Sequence, residues 1–226
     1  HVFGVLHPEQ GVMPQQHITH RSPTQRRDAR NQHHPKPVHA ATARRQGAGH
    51  GFGGDGVLTW QYQMAALARK YQVIVPDLLW FGESGAACAP TLAAQADALQ
   101  ALLAHLDIRR VALVGVSYGG FVVQELSARY PARVSKLIIV DSPGSDYAMQ
   151  DTEELLERTG AASLPDLFVP DSGDKVKRLI YYSMSKEVPL PDSLYDELYQ
   201  MGYADRQAQL TALINELSDN RGAYHQ

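Results

Sequence analysis

The sequence predicts an α/β fold: a doubly wound, mostly parallel sheet of the kind that helices cover on both faces. Two observations lead to this class. Short strands that are apolar throughout alternate with helices from residue 56 onward, and strands without a polar side are buried on both faces. Four amphipathic helices then follow the last of these strands without any further strand between them. They predict a helical cap on the sheet.

Hydrophobic spacing gives the individual elements. The alternating part is predicted as helix 56–71, strand 72–77, helix 91–106, strand 110–116, helix 118–131 and strand 134–143. The cap helices are predicted within 152–160, 174–185, 192–201 and 204–217. The last of them carries the clearest apolar stripe, formed by Leu210, Leu213, Ile214 and Leu217.

The chain divides into four predicted segments. Residues 1–48 are rich in His, Gln, Arg and Pro and show neither a helical nor a strand period, so a disordered or non-native segment is predicted there. The core is predicted over 49–143, the cap over 144–217 and a tail over 218–226. The abrupt loss of pattern at both ends favours a truncated or frame-disrupted sequence, with incomplete strands at its N- and C-terminal ends.

Composition excludes several classes of partner. A net charge of −3 gives no overall basic field, so neither nucleic acid nor a membrane surface is an expected partner.

No apolar stretch is long enough for a membrane helix and no signal peptide opens the chain, so a cytoplasmic location is predicted. Cys88 is the only cysteine and cannot form an internal disulfide. No metal cluster or dinucleotide fingerprint appears in the patterned part, so no cofactor is predicted.

A serine between two glycines is the strongest chemical signal. In Gly115-Val116-Ser117-Tyr118-Gly119 a predicted strand runs directly into a predicted helix. Small residues on both sides permit a tight turn that exposes the hydroxyl, and the helix N-terminus favours negative charge there. On its own, the pattern also fits an ordinary glycine-rich turn. A second glycine-rich loop, "GHGFGGDG" at 49–56, supplies backbone N–H groups of the kind that form an oxyanion hole.

Together with "VPDLLWFGES" and "LVGVSYGGFV", this loop resembles the α/β-hydrolase superfamily, in its capped lineage of esterases, lipases and carbon–carbon bond hydrolases, over residues 49–217. The resemblance implies that Ser117 is the nucleophile and that the N–H groups of Phe52 and Tyr118 form the oxyanion hole. It implies a supporting role for His50. The implied activity is hydrolysis of a carboxylic ester or a similar small acyl substrate. Serine at the elbow argues against dehalogenases and epoxide hydrolases, which carry aspartate there.

The resemblance also implies a catalytic acid and a histidine after the nucleophile. Asp141 follows a predicted strand and is the candidate acid, although an aspartate that begins the turn "DSPG" also has an ordinary structural role. His225 is the only histidine after Ser117 and is the candidate base, but little chain separates it from the last helix. His105 is expected on a helix surface. Without a base, the alternative is a non-catalytic or inactive protein of the same fold that binds a small ligand or partner.

Overall fold

Five strands form one mixed sheet in the computed structural model, which describes residues 3–6, 44–143, 149–184 and 189–219. The strands are β1 (Phe3–Leu6), β2 (Arg44–Gly49), β3 (Tyr71–Pro76), β4 (Val111–Val116) and β5 (Val134–Val140). Their order across the sheet is β1-β3-β2-β4-β5. β1 pairs antiparallel with β3, and the other four strands are parallel. The predicted α/β class with a mostly parallel sheet is confirmed.

Eight α-helices accompany the sheet in the described ranges. Three alternate with the strands: α1 (Gly56–Ala68), α2 (Leu92–His105) and α3 (Tyr118–Arg129). Five follow β5: α4 (Met149–Thr159), α5 (Leu164–Phe168), α6 (Gly173–Ser183), α7 (Asp192–Gly202) and α8 (Gln207–Asp219). The last five, α4–α8, are called the helical segment below. Four of them match predicted helices; α5, which has five residues and a proline near its start, was not predicted.

Helices cover both faces of the sheet at β2, β3 and β4, whereas most residues of β5 are exposed. On one face, Trp60 of α1 packs in a cluster with Val73, Val75 and Val114. On the other face, Ile74 and Leu113 pack with apolar residues of α2 and α3. Neighbouring positions of β3 thus point into opposite cores, which is why this strand has no polar side.

Strand β2 corrects the prediction that residues 1–48 lie outside the core. Its sequence "RRQGAG" has no apolar run, yet it lies between β3 and β4, and Gln46 pairs with both Val73 and Ala112. Backbone hydrogen bonds to two neighbouring strands hold a segment whose side chains do not favour a strand. The core therefore begins at residue 44, and the unpredicted β1 adds residues 3–6 at the sheet edge.

The order of the strands creates a crevice. From β2 the chain passes through α1 to β3 on one side, and then through α2 to β4 on the other side of β2. At the carboxyl edge of the sheet, the loops that follow the adjacent strands β2 and β4 therefore run in opposite directions and leave a crevice between them. Open α/β sheets bind ligands at such switch points.

The helical segment packs on this edge through one apolar cluster. Core residues Leu78, Trp80, Phe81, Tyr118 and Val122 belong to it. The buried members from the helical segment are Leu164, Val169, Val176, Tyr195, Tyr203, Leu210, Leu213, Ile214 and Leu217. A hydrogen bond adds to these contacts, because Leu92 N–H donates to Glu216 Oε2 at 2.6 Å. The helices therefore cover the loops at which the predicted site lies.

Candidate active site

Ser117 occupies a strained turn between β4 and α3. Its backbone angles are φ 52° and ψ −122°, a region that residues with a side chain rarely adopt. Its N–H donates to Val140 O at 3.0 Å, and its carbonyl accepts from Gly120 N–H at 2.9 Å. The serine is therefore held by backbone bonds to the neighbouring strand and to its own helix, and its side chain is only partly buried.

The glycines around the serine permit close backbone approach. A Cβ on Gly119 would lie 2.6 Å from the carbonyl atoms of Gly49 and 2.6 Å from His50 O, far inside normal contact. A Cβ on Gly115 would overlap Gly119 O. A Cβ on Gly51 would lie 3.5 Å from Ser117 Cβ and 4.0 Å from its Oγ. Small residues thus let the loop after β2, residues 50–55, lie directly beside the serine.

His50 supports this loop from the core. It is fully buried, its Nδ1 lies 2.8 Å from Gly51 O and its Nε2 accepts the Leu78 N–H at 2.9 Å. These contacts require a neutral ring with the proton on Nδ1. Burial lowers the pKa of His50, which favours the same neutral form. With both ring nitrogens in use, His50 supports the loop and does not abstract a proton from Ser117.

Phe52 lies at the centre of an aromatic group above the turn. Its ring packs edge-on against Phe81 at 5.0 Å, Tyr118 at 5.4 Å and Phe168 at 6.5 Å between centroids. Phe81 comes from the loop after β3 and Phe168 from α5. Phe52 and Tyr118, the two residues predicted to supply oxyanion-hole N–H groups, are therefore in contact through their side chains.

The loop after β3 is closed by Asp77. Its Oδ1 accepts the Gly56 N–H at 2.9 Å and its Oδ2 accepts the Glu83 N–H at 3.2 Å. In the same loop Trp80 is buried, has φ 66°, and accepts a 3.3 Å hydrogen bond at its carbonyl from Arg206. One carboxylate thus joins this loop to the start of α1, and one arginine joins it to the helical segment.

Asp141 lies beside Ser117 at the carboxyl edge. Val116 and Val140 are paired in register, so Ser117 and Asp141 are the next residues on two adjacent parallel strands, which are about 4.8 Å apart. Asp141 is exposed and has φ 51°. The structure therefore brings the predicted nucleophile and the candidate acid to one edge.

Of the other two histidines named from the sequence, the structure describes only His105, and it is not at this site. His105 is exposed at the end of α2, near the amino end of β4 and hence at the opposite edge of the sheet from Ser117. His225 lies outside the described residues. Sequence reasoning also missed Tyr203 and Arg206, which reach the two loops from the turn between α7 and α8. No sequence pattern marks these contacts, which span more than a hundred residues.

The described ranges contain neither a candidate metal cluster nor a candidate membrane helix. No group of three or more His, Cys, Asp or Glu side chains there is arranged to hold a metal ion. No helix in the same part of the chain has the length and apolarity needed to cross a membrane.

Comparisons with known proteins agree with this architecture. An uncharacterized protein of Mycobacterium tuberculosis is 42% identical over 96 residues, which are 42% of this chain and only 28% of that protein. A pimeloyl-(acyl-carrier protein) methyl ester esterase of Vibrio campbellii is 30% identical over 183 residues, which cover 73% of this chain and 69% of the esterase. The solved structure of a bacterial membrane phospholipase A shares the fold, with a TM-score of 0.66 over 80% of this chain and 57% of that chain at 24% identity.

The family model of the alpha/beta hydrolase fold matches residues 50–219. This range begins at the loop beside Ser117 and includes every helix from α1 to α8. The protein belongs to the α/β hydrolase fold family.

Proposed function

We propose that the protein is a serine hydrolase that cleaves a carboxylic ester through attack by Ser117. The observation that carries the proposal is the conformation of this residue. A serine with φ 52° at a strand-to-helix junction is costly for folding, since positive φ in a residue with a side chain costs about 1–2 kcal/mol. A functional role explains why that strain is kept at this position.

The proposed chemistry begins when Ser117 Oγ forms a bond to the ester carbonyl carbon. The hydroxyl proton passes to a general base, and the negative charge on the carbonyl oxygen is stabilised by the N–H groups of Phe52 and Tyr118. Collapse of the intermediate releases the alcohol, which takes the proton, and water then releases the acid from the acyl-enzyme. Tyr118 suits its role because it is the residue after the nucleophile and begins α3. Asp141 is the proposed acid because it follows the adjacent strand.

The substrate class is proposed as an ester with an apolar or aromatic acyl group. The aromatic rings of Phe52, Phe81 and Phe168 lie above the turn that holds the serine. Rings of this kind bind apolar groups rather than charged ones. The ester class is further supported by the Vibrio relative, a methyl ester esterase.

One observation favours the alternative of a non-catalytic protein that binds a small ligand. Within the described residues His50 and His105 are the only histidines; the first is hydrogen-bonded through both ring nitrogens and the second lies at the opposite edge. The proposed base, His225, is outside these ranges. A protein without the base would keep the crevice and the N–H groups and could still bind an acyl compound.

The test is hydrolysis of p-nitrophenyl esters of increasing acyl length by the full chain and by Ser117→Ala. The matched control is Ser127→Ala, on the same helix but ten residues further along. We expect turnover that Ser117→Ala reduces by at least about a thousandfold and that Ser127→Ala leaves unchanged. Covalent labelling by a fluorophosphonate should be lost in the same variant. If the wild type shows no turnover that depends on Ser117, the binding alternative replaces the proposal.

A further inference from the structure

The turn between α7 and α8 contacts both loops at the carboxyl edge. Tyr203 is buried, and its hydroxyl lies where a Cβ of Gly53 would be. Gly202 is close to the same loop, since a Cβ there would be 3.8 Å from Gly53 O. Arg206 donates to Trp80 O in the second loop. The helical segment therefore touches loop 50–55 at Gly53.

Gly53 and Tyr203 have complementary shapes. Gly53 has φ 79°, a conformation that favours glycine, and the tyrosine hydroxyl fills the space that a side chain would occupy. Burial raises the pKa of Tyr203, so the group is a neutral hydroxyl at any working pH. The contact therefore places a dipole, without a charge, next to the loop.

Gly53 directly follows Phe52, whose N–H is a proposed oxyanion donor. The beginning of the loop is held from the core by His50, through bonds to Leu78 N–H and Gly51 O. From Phe52 onward, the helical segment adds contacts to those of Phe81 and Tyr118: Phe168 packs on the Phe52 ring, and Tyr203 packs on Gly53. The direction of the Phe52 N–H is thus set by contacts from the core (His50, Phe81 and Tyr118) together with contacts from the helical segment (Phe168 and Tyr203).

We propose that Tyr203 is a positioning residue for the oxyanion loop: its hydroxyl supports Gly53 and thereby keeps the Phe52 N–H directed at the carbonyl that Ser117 attacks. The effect on catalysis rests on the proposed function. Tyr203 acts through the loop and is not itself a donor to the substrate. Its place in the helical segment makes the geometry of the oxyanion hole depend on how these helices sit on the sheet.

The test compares Tyr203→Phe with Tyr195→Phe in the full chain. Tyr195 is a matched control because it is equally buried, at 4% exposure for both residues, lies on α7, and has its ring next to the Lys177 ammonium rather than next to loop 50–55. Hydrogen–deuterium exchange of the peptide 49–58 is measured first. We expect about fivefold faster exchange in Tyr203→Phe, from loss of one hydroxyl contact, and no change in Tyr195→Phe.

Ester turnover is measured next. Tyr203→Phe should lower kcat about tenfold with KM within about twofold, because a misdirected donor affects the transition state more than substrate binding. If Tyr203 only contributes to packing, kcat and KM of Tyr203→Phe should both equal those of the wild type. If kcat is unaffected while turnover still depends on Ser117, the positioning role is wrong. If the wild type shows no Ser117-dependent turnover, the proposed function fails, and the exchange rates alone decide whether Tyr203 holds the loop.

A double variant tests the contact itself. Gly53→Ala should reduce kcat strongly, because the new Cβ overlaps Tyr203 Oη. In Gly53→Ala/Tyr203→Phe the hydroxyl is gone, so the combined loss should be smaller than the product of the two single losses. Part of the defect will remain, since the ring carbon Cζ would still be 2.9 Å away. Losses that simply multiply would show that the two residues act independently and would overturn the proposal.

Discussion

A small apolar cavity lies between strand β2 and helices α2 and α3, and Gly47→Ala is expected to stabilise the protein by filling part of it. The cavity has a volume of about 20 Å³, room for one water-sized group. Its lining includes Gly47, Gly49, Ile74, Leu99, Leu113 and Leu126. The void exists because β2 has glycine at two positions that face these helices.

The magnitude follows from three contributions. Burying one methyl group stabilises the folded protein by about 0.8 kcal/mol. Replacing glycine by alanine adds about 0.4–1 kcal/mol, because it lowers the conformational entropy of the unfolded chain. The cost is a small shift of Leu113, whose Cδ2 would be 3.2 Å from the new Cβ, with Val111 Cγ2 next at 3.6 Å. Leu113 Cδ2 is the end of a flexible side chain that borders the cavity, so its shift should cost little. The net gain in the free energy of unfolding should be about 1 kcal/mol, or about 2–4 °C in Tm.

Urea unfolding followed by circular dichroism and by tryptophan fluorescence would measure this gain. Gly85→Ala is the control, because a Cβ there would meet nothing within 4 Å, so only the unfolded-chain contribution applies. Gly49→Ala should destabilise instead, since its Cβ would be 3.3 Å from Gly119 O, a backbone atom of the serine turn. A Gly47→Ala variant no more stable than Gly85→Ala would refute the packing argument.

Two further predictions concern the helical segment. Asp166 bonds Lys175 at 2.9 Å and Arg178 at 3.1 Å, and the Lys175 ammonium, with help from the Ala162 N–H, lowers the pKa of Asp166 to about 2. Because a lowered carboxylate pKa adds stability above its unfolded value and loses it as pH falls through the folded value, Asp166→Asn should cost about 1 kcal/mol at pH 7. This cost should shrink between about pH 4 and pH 2 in melting curves of both proteins, and a cost that is constant with pH would contradict the ion-pair explanation. Glu216 accepts the N–H of buried Leu92, so Glu216→Ala should cost about 1–2 kcal/mol by leaving that N–H without a partner, whereas Glu216→Gln keeps an acceptor and should cost less than half as much in the same urea assay. Equal costs for the two Glu216 variants would mean that charge, and not the hydrogen bond, matters there.

The regular elements could be predicted because their side chains carry the signal. Strands β3 and β4 carry apolar runs that are buried between helices, and α8 has a clear stripe at helical spacing, so these elements can be predicted from the sequence. The apolar run of β5 also predicted a strand, but its residues 137–140 are exposed, so the run indicated the strand and not its burial. Strand β2 could not be predicted in the same way. Its position is fixed by backbone bonds to β3 and β4, and a backbone bond leaves no mark on composition.

The candidate site divides along the same line. The turn at Ser117 can be recognised in the sequence because it requires glycine at both Gly115 and Gly119. A Cβ on Gly115 would overlap Gly119, and a Cβ on Gly119 would overlap the start of the adjacent loop. The contacts of His50 with Leu78 and of Tyr203 with Gly53 join residues 28 and 150 positions apart. The resemblance implied the supporting role of His50, but no spacing rule indicates Tyr203, because the folded arrangement of the helices alone brings it to the loop.

The parts of the site therefore differ in what supports them. Ser117 is held by β4, β5 and α3, all within the sheet and its own helix, and its geometry does not require the helical segment. Loop 50–55, which carries the proposed oxyanion donor, depends on it in part, since Phe168 packs on Phe52 and Tyr203 packs on Gly53. If the proposed function holds, loosening the helical segment should thus leave Ser117 in its conformation beside a loop whose N–H groups are less well directed. Modest destabilisation of these helices should then reduce the proposed ester turnover before it disturbs the sheet.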